Sequence, residues 1–215
     1  MKQKILISTG GTGGHVIPAI TIYDHLKNEH EVTICTDVRG LKYLDINKFK
    51  IFEIDTPKLN RSILFPFIIL KVLFLTIKSL LLLKKEKIQI LISTGGYMSL
   101  PLCLAGRILN IKIFLLEPNM IVGRANKFFL NFCEKIICYS KNINGLPNKF
   151  KNKIEISSPF IRKQYYEKKF KENNNEIFTI MIVGGSQGAQ IFDEIIHESI
   201  LKISKIKPLK IIHQT

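Results

Sequence analysis

A chain of 215 residues with 46% hydrophobic side chains is long enough to bury a sizeable core and too apolar to be disordered in the main. Its 32 basic against 17 acidic residues leave a formal charge of +15. Such an excess suits an anionic partner, whether a phosphorylated substrate, a membrane surface or a nucleic acid, or else reflects a composition rich in Lys, Ile and Asn spread over solvated faces. Cys35, Cys103, Cys133 and Cys138 form no CxxC pair and sit inside apolar runs, so they read as core residues in a reducing compartment, not as zinc ligands or a disulfide framework.

From Met1 the chain passes straight into a strand, without a signal peptide, which predicts a cytoplasmic location or one on the cytoplasmic face of a membrane. Residues 5–20, ILISTGGTGGHVIPAI, break an apolar β-branched run with four glycines and reopen as a helical pattern. Paired glycines permit a sharp turn and close approach of a ligand, and a helix starting near Pro18 would aim its unpaired N–H groups at an anion in the loop. A P-loop is excluded because His15 and Val16, not Lys and Ser or Thr, follow Gly14. The dinucleotide spacing GxGxxG fails as well, because Val16 stands where the last glycine belongs.

PAITIYDHLKNEH carries apolar residues at helical spacing, then EVTIC at 31–35 and IFEI at 51–54 read as further strands, which predicts βαβ units in a parallel sheet with helices on both faces. Segment 62–85, SILFPFIILKVLFLTIKSLLLLKK, is the most apolar part of the chain. Lys71, Lys78 and Lys85 recur every seven residues on one face, which disfavours a span and favours a helix lying in a membrane interface; a buried core helix is the other reading.

IQILIS at 88–93 delivers a second glycine loop, TGGYMSLP, with Gly95, Gly96 and Tyr97 at its mouth and Ser99 and Pro101 in the cap and first turn of the next helix. Another strand ends at Glu117, Pro118 and Asn119. Its carboxylate can bind a hydroxyl, act as a base, or cap the helix that follows. KIICYS at 135–140 reads as the last strand of the first sheet, and the lysine-rich stretch beyond it as a domain boundary. FTIMIVGGSQGAQI then restarts the strand, glycine loop and helix pattern, and LKIIHQT begins another strand.

GGTGGHVIPA, STGGYMSLP, LEPNMIVGRANK, SPFIR, VGGSQGA and HQT together resemble the MurG family, UDP-N-acetylglucosamine transferases of glycosyltransferase family 28 that act on undecaprenyl-diphosphate-linked muramyl-pentapeptide. The resemblance covers the whole chain and about the first three-fifths of a typical member. It implies an α/β fold of GT-B type: an acceptor- and membrane-binding domain over 1–160 and, over 161–215, the start of a donor-binding domain whose remainder falls outside this sequence. It implies peptidoglycan synthesis, hence a part in cell shape and division, by a peripheral enzyme on the cytoplasmic face of the inner membrane. Its partners are the sugar nucleotide, the lipid-linked acceptor and anionic lipid, without nucleic acid, cofactor or metal.

By the same resemblance, His15 is the general-base candidate. Thr12, Gly13, Gly14, Asn119, Arg162 and Ser186 are donor contacts, although Pro118 replaces the family's Gln and ISSPFIR departs from its TGNPVR. Gly95, Gly96, Tyr97 and Glu117 lie on the acceptor side, and Phe67, Lys71, Phe74 and Lys78 contact the membrane. The chemistry suits these residue types: a histidine largely neutral at pH 7 can take a proton from a hydroxyl, and helix-start N–H groups can hold a departing diphosphate. No Asp-x-Asp pair suggests a metal-bound diphosphate. With the later donor contacts outside the sequence, weak binding of UDP-N-acetylglucosamine is expected. The alternative is an acceptor-binding, membrane-anchoring polypeptide, non-catalytic or completed by a separate donor-binding one.

Overall fold

The computed structural model describes residues 2–57, 65–162, 165, 177–184 and 190–214, with only the backbone described over 190–193. The chain divides into two compact units, Met1–Tyr166 and Glu167–Thr215.

The first unit is a seven-stranded parallel sheet with helices on both faces. Its strands are β1 (Lys4–Ser8), β2 (Glu31–Thr36), β3 (Ile51–Glu53), β4 (Ile90–Ser93), β5 (Lys112–Glu117), β6 (Lys135–Cys138) and β7 (Ile154–Ile156). The helices are α1 (Gly13–Leu26), α2 (Val38–Leu41), α3 (Phe65–Glu86), α4 (Ser99–Ile108) and α5 (Arg124–Phe129). Strand order is β3-β2-β1-β4-β5-β6-β7, so the chain winds outward from β1 to one edge and then returns to build the other half. The reversal falls between β1 and β4, which pair in register from Ile5 with Ile90 to Ser8 with Ser93.

Side chains alternate across the strands, so one residue type serves two cores. Leu6, Leu91, Ile113 and Leu115 join Leu75, Leu83, Leu102 and Phe129 on the face of α3, α4 and α5. Ile5, Ile7, Ile92 and Leu116 meet Ala19 and Ile22 of α1 on the other. Burial on both faces explains why these strands read as continuous apolar runs. All four cysteines are free and buried in this core. Burial pushes the Cys103 thiol up to about 12, so it is an inert packing group at neutral pH.

Three expectations need correction. KIICYS is not the last strand, since β7 pairs with β6 through Ile136 with Ile154 and Cys138 with Ile156. Three residues among lysines carry too little apolar pattern to stand out, and an edge strand needs little. Second, α1 starts at Gly13, five residues before Pro18. Thr12 is still extended at φ −118° and ψ 163°, and the helix begins as soon as the glycine turn ends. Pro18 then lacks only the N–H that would reach the Gly14 carbonyl; its ring costs about 3 kcal/mol in a helix interior, offset by its burial with Val16 and Ala19. Third, Met98 occupies the cap position of α4, and Ser99 is its first residue, donating its hydroxyl to the Gly96 carbonyl at 2.8 Å.

The second unit pairs β8 (Phe178–Ile182) with β9 (Leu209–His213) in parallel, joined through α6 (Gln190–Ser204).

Candidate functional site

Ligands of open parallel sheets sit beyond the carboxyl ends of the strands, where the winding reverses. Here the loops after β1 and β4 flank that point and are stitched together. Thr94 donates its N–H to the Ser8 carbonyl at 3.0 Å, and its hydroxyl donates to Thr9 Oγ1 at 2.9 Å.

His15 stands in the first turn of α1, and its Nδ1 lies 2.7 Å from the Thr94 carbonyl oxygen. A carbonyl only accepts, so Nδ1 carries the proton and Nε2 of the neutral ring keeps its lone pair. Gly95 stands beside this bond at φ +91°, a conformation that favours glycine, while a Cβ there would make only ordinary contact with the His15 ring at 3.5 Å and the Asn126 amide at 3.4 Å.

The first glycine loop is held from outside the sequence motif. Asp37, buried at the end of β2, accepts from the Gly11 and Gly40 N–H groups through Oδ1, both at 2.8 Å. Its Oδ2 accepts from Arg39 Nε at 3.0 Å and Nη2 at 2.8 Å. Burial pushes this carboxyl up, but the two amides and the guanidinium outweigh it and hold it below the usual carboxylate range.

Glu117 organises the loop after β5. Its Oε1 accepts from the Asn119 N–H at 3.2 Å and from Asn119 Nδ2 at 3.0 Å; its Oε2 accepts from Gly123 N–H at 2.7 Å and Asn126 Nδ2 at 3.1 Å. Both oxygens of this buried carboxylate are engaged by its own loop, the Gly123 bond at the start of α5. That is the helix-bracing role.

Together these loops line an open cavity of about 280 Å³ whose polar groups come from His15, Glu117, Asn119, Arg124 and Asn126. His15, Gly95, Gly96, Tyr97, Glu117 and Asn119 all line it, so the structure brings together the base candidate, the four acceptor-side residues and one donor-contact candidate. Gly123, Arg124, Ala125 and Asn126, which local pattern did not single out, complete its wall. Asn126 is buried and gives its Nδ2 to the Leu116 carbonyl at 2.9 Å, while its Oδ1 has no hydrogen-bond partner. A buried orphan acceptor beside a cavity can be met by an ordered water or by a donor from a ligand.

Other expected residues lie outside the cavity. Thr12, Gly13 and Gly14 form the cap and first two residues of α1, where helix N–H groups have no intrahelical acceptor. Arg162 is exposed and follows Ile161, whose carbonyl accepts from Thr21 in the middle of α1 at 3.4 Å. Ser186 lies outside the described residues, as do 62–64 of the apolar segment. Phe67, Lys71, Phe74 and Lys78 are all exposed on α3, and Lys78 Nζ sits 4.8 Å above the Phe74 ring. Among the described residues no cluster of three His, Cys, Asp or Glu side chains could hold a metal.

A doubly wound parallel sheet with two glycine loops over its switch point and an oriented histidine lining a cavity there defines a Rossmann-like ligand-binding domain. Residues 5–138 match the glycosyltransferase family 28 N-terminal domain, and the chain belongs to that family. A curated relative from Pelagibacter ubique, a UDP-N-acetylglucosamine–N-acetylmuramyl-(pentapeptide) pyrophosphoryl-undecaprenol N-acetylglucosamine transferase, is 49% identical over 100% of this chain and 61% of its own length. The enzyme of that name from Rickettsia canadensis is 35% identical over 98% of this chain and 60% of its own. The crystal structure of Acinetobacter baumannii MurG has the same fold, with a TM-score of 0.76 at 24% identity, over 99% of this chain and 60% of that one. The chain thus spans about three-fifths of the length of these relatives.

Proposed function

We propose that this chain is the acceptor-binding portion of an inverting N-acetylglucosamine transferase. Its donor is UDP-N-acetylglucosamine and its acceptor the undecaprenyl-diphosphate-linked muramyl-pentapeptide of peptidoglycan synthesis. The observation that carries the reading is the polar cavity at the switch point, where a histidine tautomer with a free Nε2 lies near a buried, unpartnered Asn126 Oδ1.

An acceptor hydroxyl in this cavity gives its proton to His15 Nε2 while its oxygen attacks the anomeric carbon. The bond from that carbon to the diphosphate breaks, and UDP leaves with the electron pair. A neutral imidazole suits the first event. Helix N–H groups suit the second, and the first turn of α1, with Thr12, Gly13 and Gly14, supplies them. Arg162 and Ser186 complete the donor contacts in this reading. Asn126 orients a sugar hydroxyl or amide, and Glu117 keeps Asn126 and Asn119 in place.

Every described residue lining the cavity belongs to the first unit. That favours, as the second reading, an acceptor-binding polypeptide served by a separate donor-binding one.

Joined to the carboxyl-terminal residues of the Pelagibacter ubique relative, the chain is expected to move labelled N-acetylglucosamine from UDP to a lipid-linked muramyl-pentapeptide. Label incorporation no higher than without the protein would reject the transferase reading.

The membrane reading rests on α3, a 22-residue helix whose most apolar 18-residue stretch has mean hydropathy 2.2. One face, with Val72, Leu75, Thr76, Ser79 and Leu83, is buried, and Thr76 and Ser79 return their hydroxyls to the helix's own carbonyls. On the other side Phe67, Leu70, Phe74, Ile77 and Leu81 are each more than half exposed, beside Lys71, Lys78 and Lys85. An apolar patch rimmed with lysines suits the headgroup layer of an anionic leaflet at the cytoplasmic face. In flotation, the chain should rise with anionic vesicles at low salt and lose them as salt screens the lysines. Equal flotation on neutral vesicles and at high salt would rule the interface out.

A further inference from the structure

A buried carboxylate lies against the loop to which the transferase reading gives a departing diphosphate. Asp37 Oδ1 accepts from the Gly11 N–H at 2.8 Å, one residue before Thr12, and the Asp37 side chain is only 1% exposed. A Cβ on Gly10 would stand 2.7 Å from the same oxygen, so the carboxylate packs directly on the loop backbone. Although burial pushes it up, this carboxyl titrates below the usual range and is charged at neutral pH. A fixed negative charge in surroundings that screen poorly opposes the binding of a diphosphate there. It also opposes the charge that UDP gains when its bond to the anomeric carbon breaks. Asp37 thus helps to hold the loop and hinders the chemistry proposed for it.

Arg39 meets that conflict. Its Nε and Nη2 both donate to Asp37 Oδ2, at 3.0 and 2.8 Å, which leaves Oδ1 to the Gly11 and Gly40 amides. Its Nη2 would also stand 3.7 Å from a Cβ on Gly11, so the guanidinium lies beside the loop itself. Among the described residues no other cation pairs with Asp37. The Arg39 side chain is 49% exposed, and such a pair does little for stability. We propose that Arg39 is the charge-balancing residue of the first glycine loop: it cancels the Asp37 carboxylate, so that the loop can be held by one anion and still receive another. The inference rests on the transferase reading and adds to it a positioning residue that acts on the donor diphosphate through Asp37. The guanidinium keeps its proton throughout, and the electron pair of the broken bond stays on UDP. Charge balance has a signature that a purely structural contact lacks. Removing Arg39 leaves the carboxylate uncompensated, whereas removing the carboxylate charge as well makes Arg39 unnecessary. Asp37→Asn keeps an Oδ1 acceptor for both amides and carries no charge.

The test is a double-mutant cycle in the chain joined to the carboxyl-terminal residues of the Pelagibacter ubique relative, read by calorimetric titration with UDP and with uridine, and by turnover. Arg39→Ala should weaken UDP and lower turnover, each by roughly ten- to a hundredfold. The double variant Asp37→Asn, Arg39→Ala should recover most of both losses. Arg39→Lys, which keeps the charge without the two-pronged grip, should stay within a few-fold of wild type. Uridine lacks the diphosphate and should bind all four proteins alike. A double variant as poor as Arg39→Ala would overturn the proposal, because a lost structural contact is not mended by losing its partner. So would an Arg39→Lys protein as poor as Arg39→Ala, or UDP binding that ignores Arg39 altogether. A wild-type protein that binds UDP and transfers nothing would reject the transferase reading, and the UDP titrations would still decide the role of Arg39. A wild-type protein that binds uridine but gains nothing from the diphosphate would overturn both.

Discussion

Replacing His15 by alanine in the transferase completed with the relative's carboxyl-terminal residues should lower turnover by about 10²–10⁴-fold, the usual contribution of a positioned acid or base. The KM for the lipid acceptor should move far less, because the groups that hold the sugar are on other residues. The size of the effect follows from the orientation of the ring. Its Nδ1 proton is committed to the Thr94 carbonyl at 2.7 Å, which leaves Nε2 as the nitrogen that takes the proton in the proposed mechanism. His15→Gln is the informative companion. Its amide can still donate to Thr94, but it cannot take a proton, so it should be as slow as alanine. Steady-state kinetics with saturating donor measures both. Wild-type turnover in either variant would remove His15 from the mechanism.

Asp37→Ala should destabilise the first unit by about 3 kcal/mol, since it leaves the buried Gly40 N–H and the half-buried Gly11 N–H without an acceptor. Arg39 adds little to that figure because its side chain is half exposed and solvent screens the pair. The effect must depend on pH, and its direction is fixed. The folded carboxyl titrates below its unfolded value of about 3.9, so the stabilisation is fully present above that pH and is lost as pH falls through the folded value. Urea unfolding of the first unit should therefore separate wild type and variant widely at pH 7 and draw them together in strong acid. Coincident curves at pH 7 would show that the loop does not depend on this carboxylate. Because Asp37 touches the loop and not the cavity, its loss should also loosen the start of α1 and weaken any ligand held there.

Features that depend on neighbours in the chain were legible in the sequence. ILIS before each of the first two glycine loops marks a strand buried on both faces, and both strands and both loops are where that pattern puts them. Gly95, Gly96, Tyr97, Glu117, Asn119 and His15 also line one cavity, as a shared site requires. What depends on partners far along the chain was not legible. Asp37 lies 26 residues from the Gly11 it holds, and nothing between them marks the pairing. Asn126 looks like any polar residue at a helix start, and only the fold shows that its Oδ1 is buried and unpartnered. Pro18 misled for a related reason. Proline favours a first helical position, but tertiary burial of α1 outweighs that local preference. For Glu117 the sequence left a hydroxyl-binding role and a helix-bracing role open. The four hydrogen bonds it accepts, three from its own loop and one from Asn126 of α5, give the bracing role a full account.

The bond that orients His15 ends on a main-chain oxygen, and that has a consequence for how the site tolerates sequence change. Every amino acid at position 94 carries the same carbonyl, so no substitution there can delete the acceptor that fixes the tautomer, although one can disturb the hydroxyl pair between Thr94 and Thr9. In a chain whose composition leans so heavily toward lysine, isoleucine and asparagine, this places the direction of the imidazole lone pair beyond the reach of most point mutations. The sensitive position is Gly95, whose φ of +91° strains any other residue. Drift is therefore tolerated at the residue that makes the bond and forbidden at the one beside it.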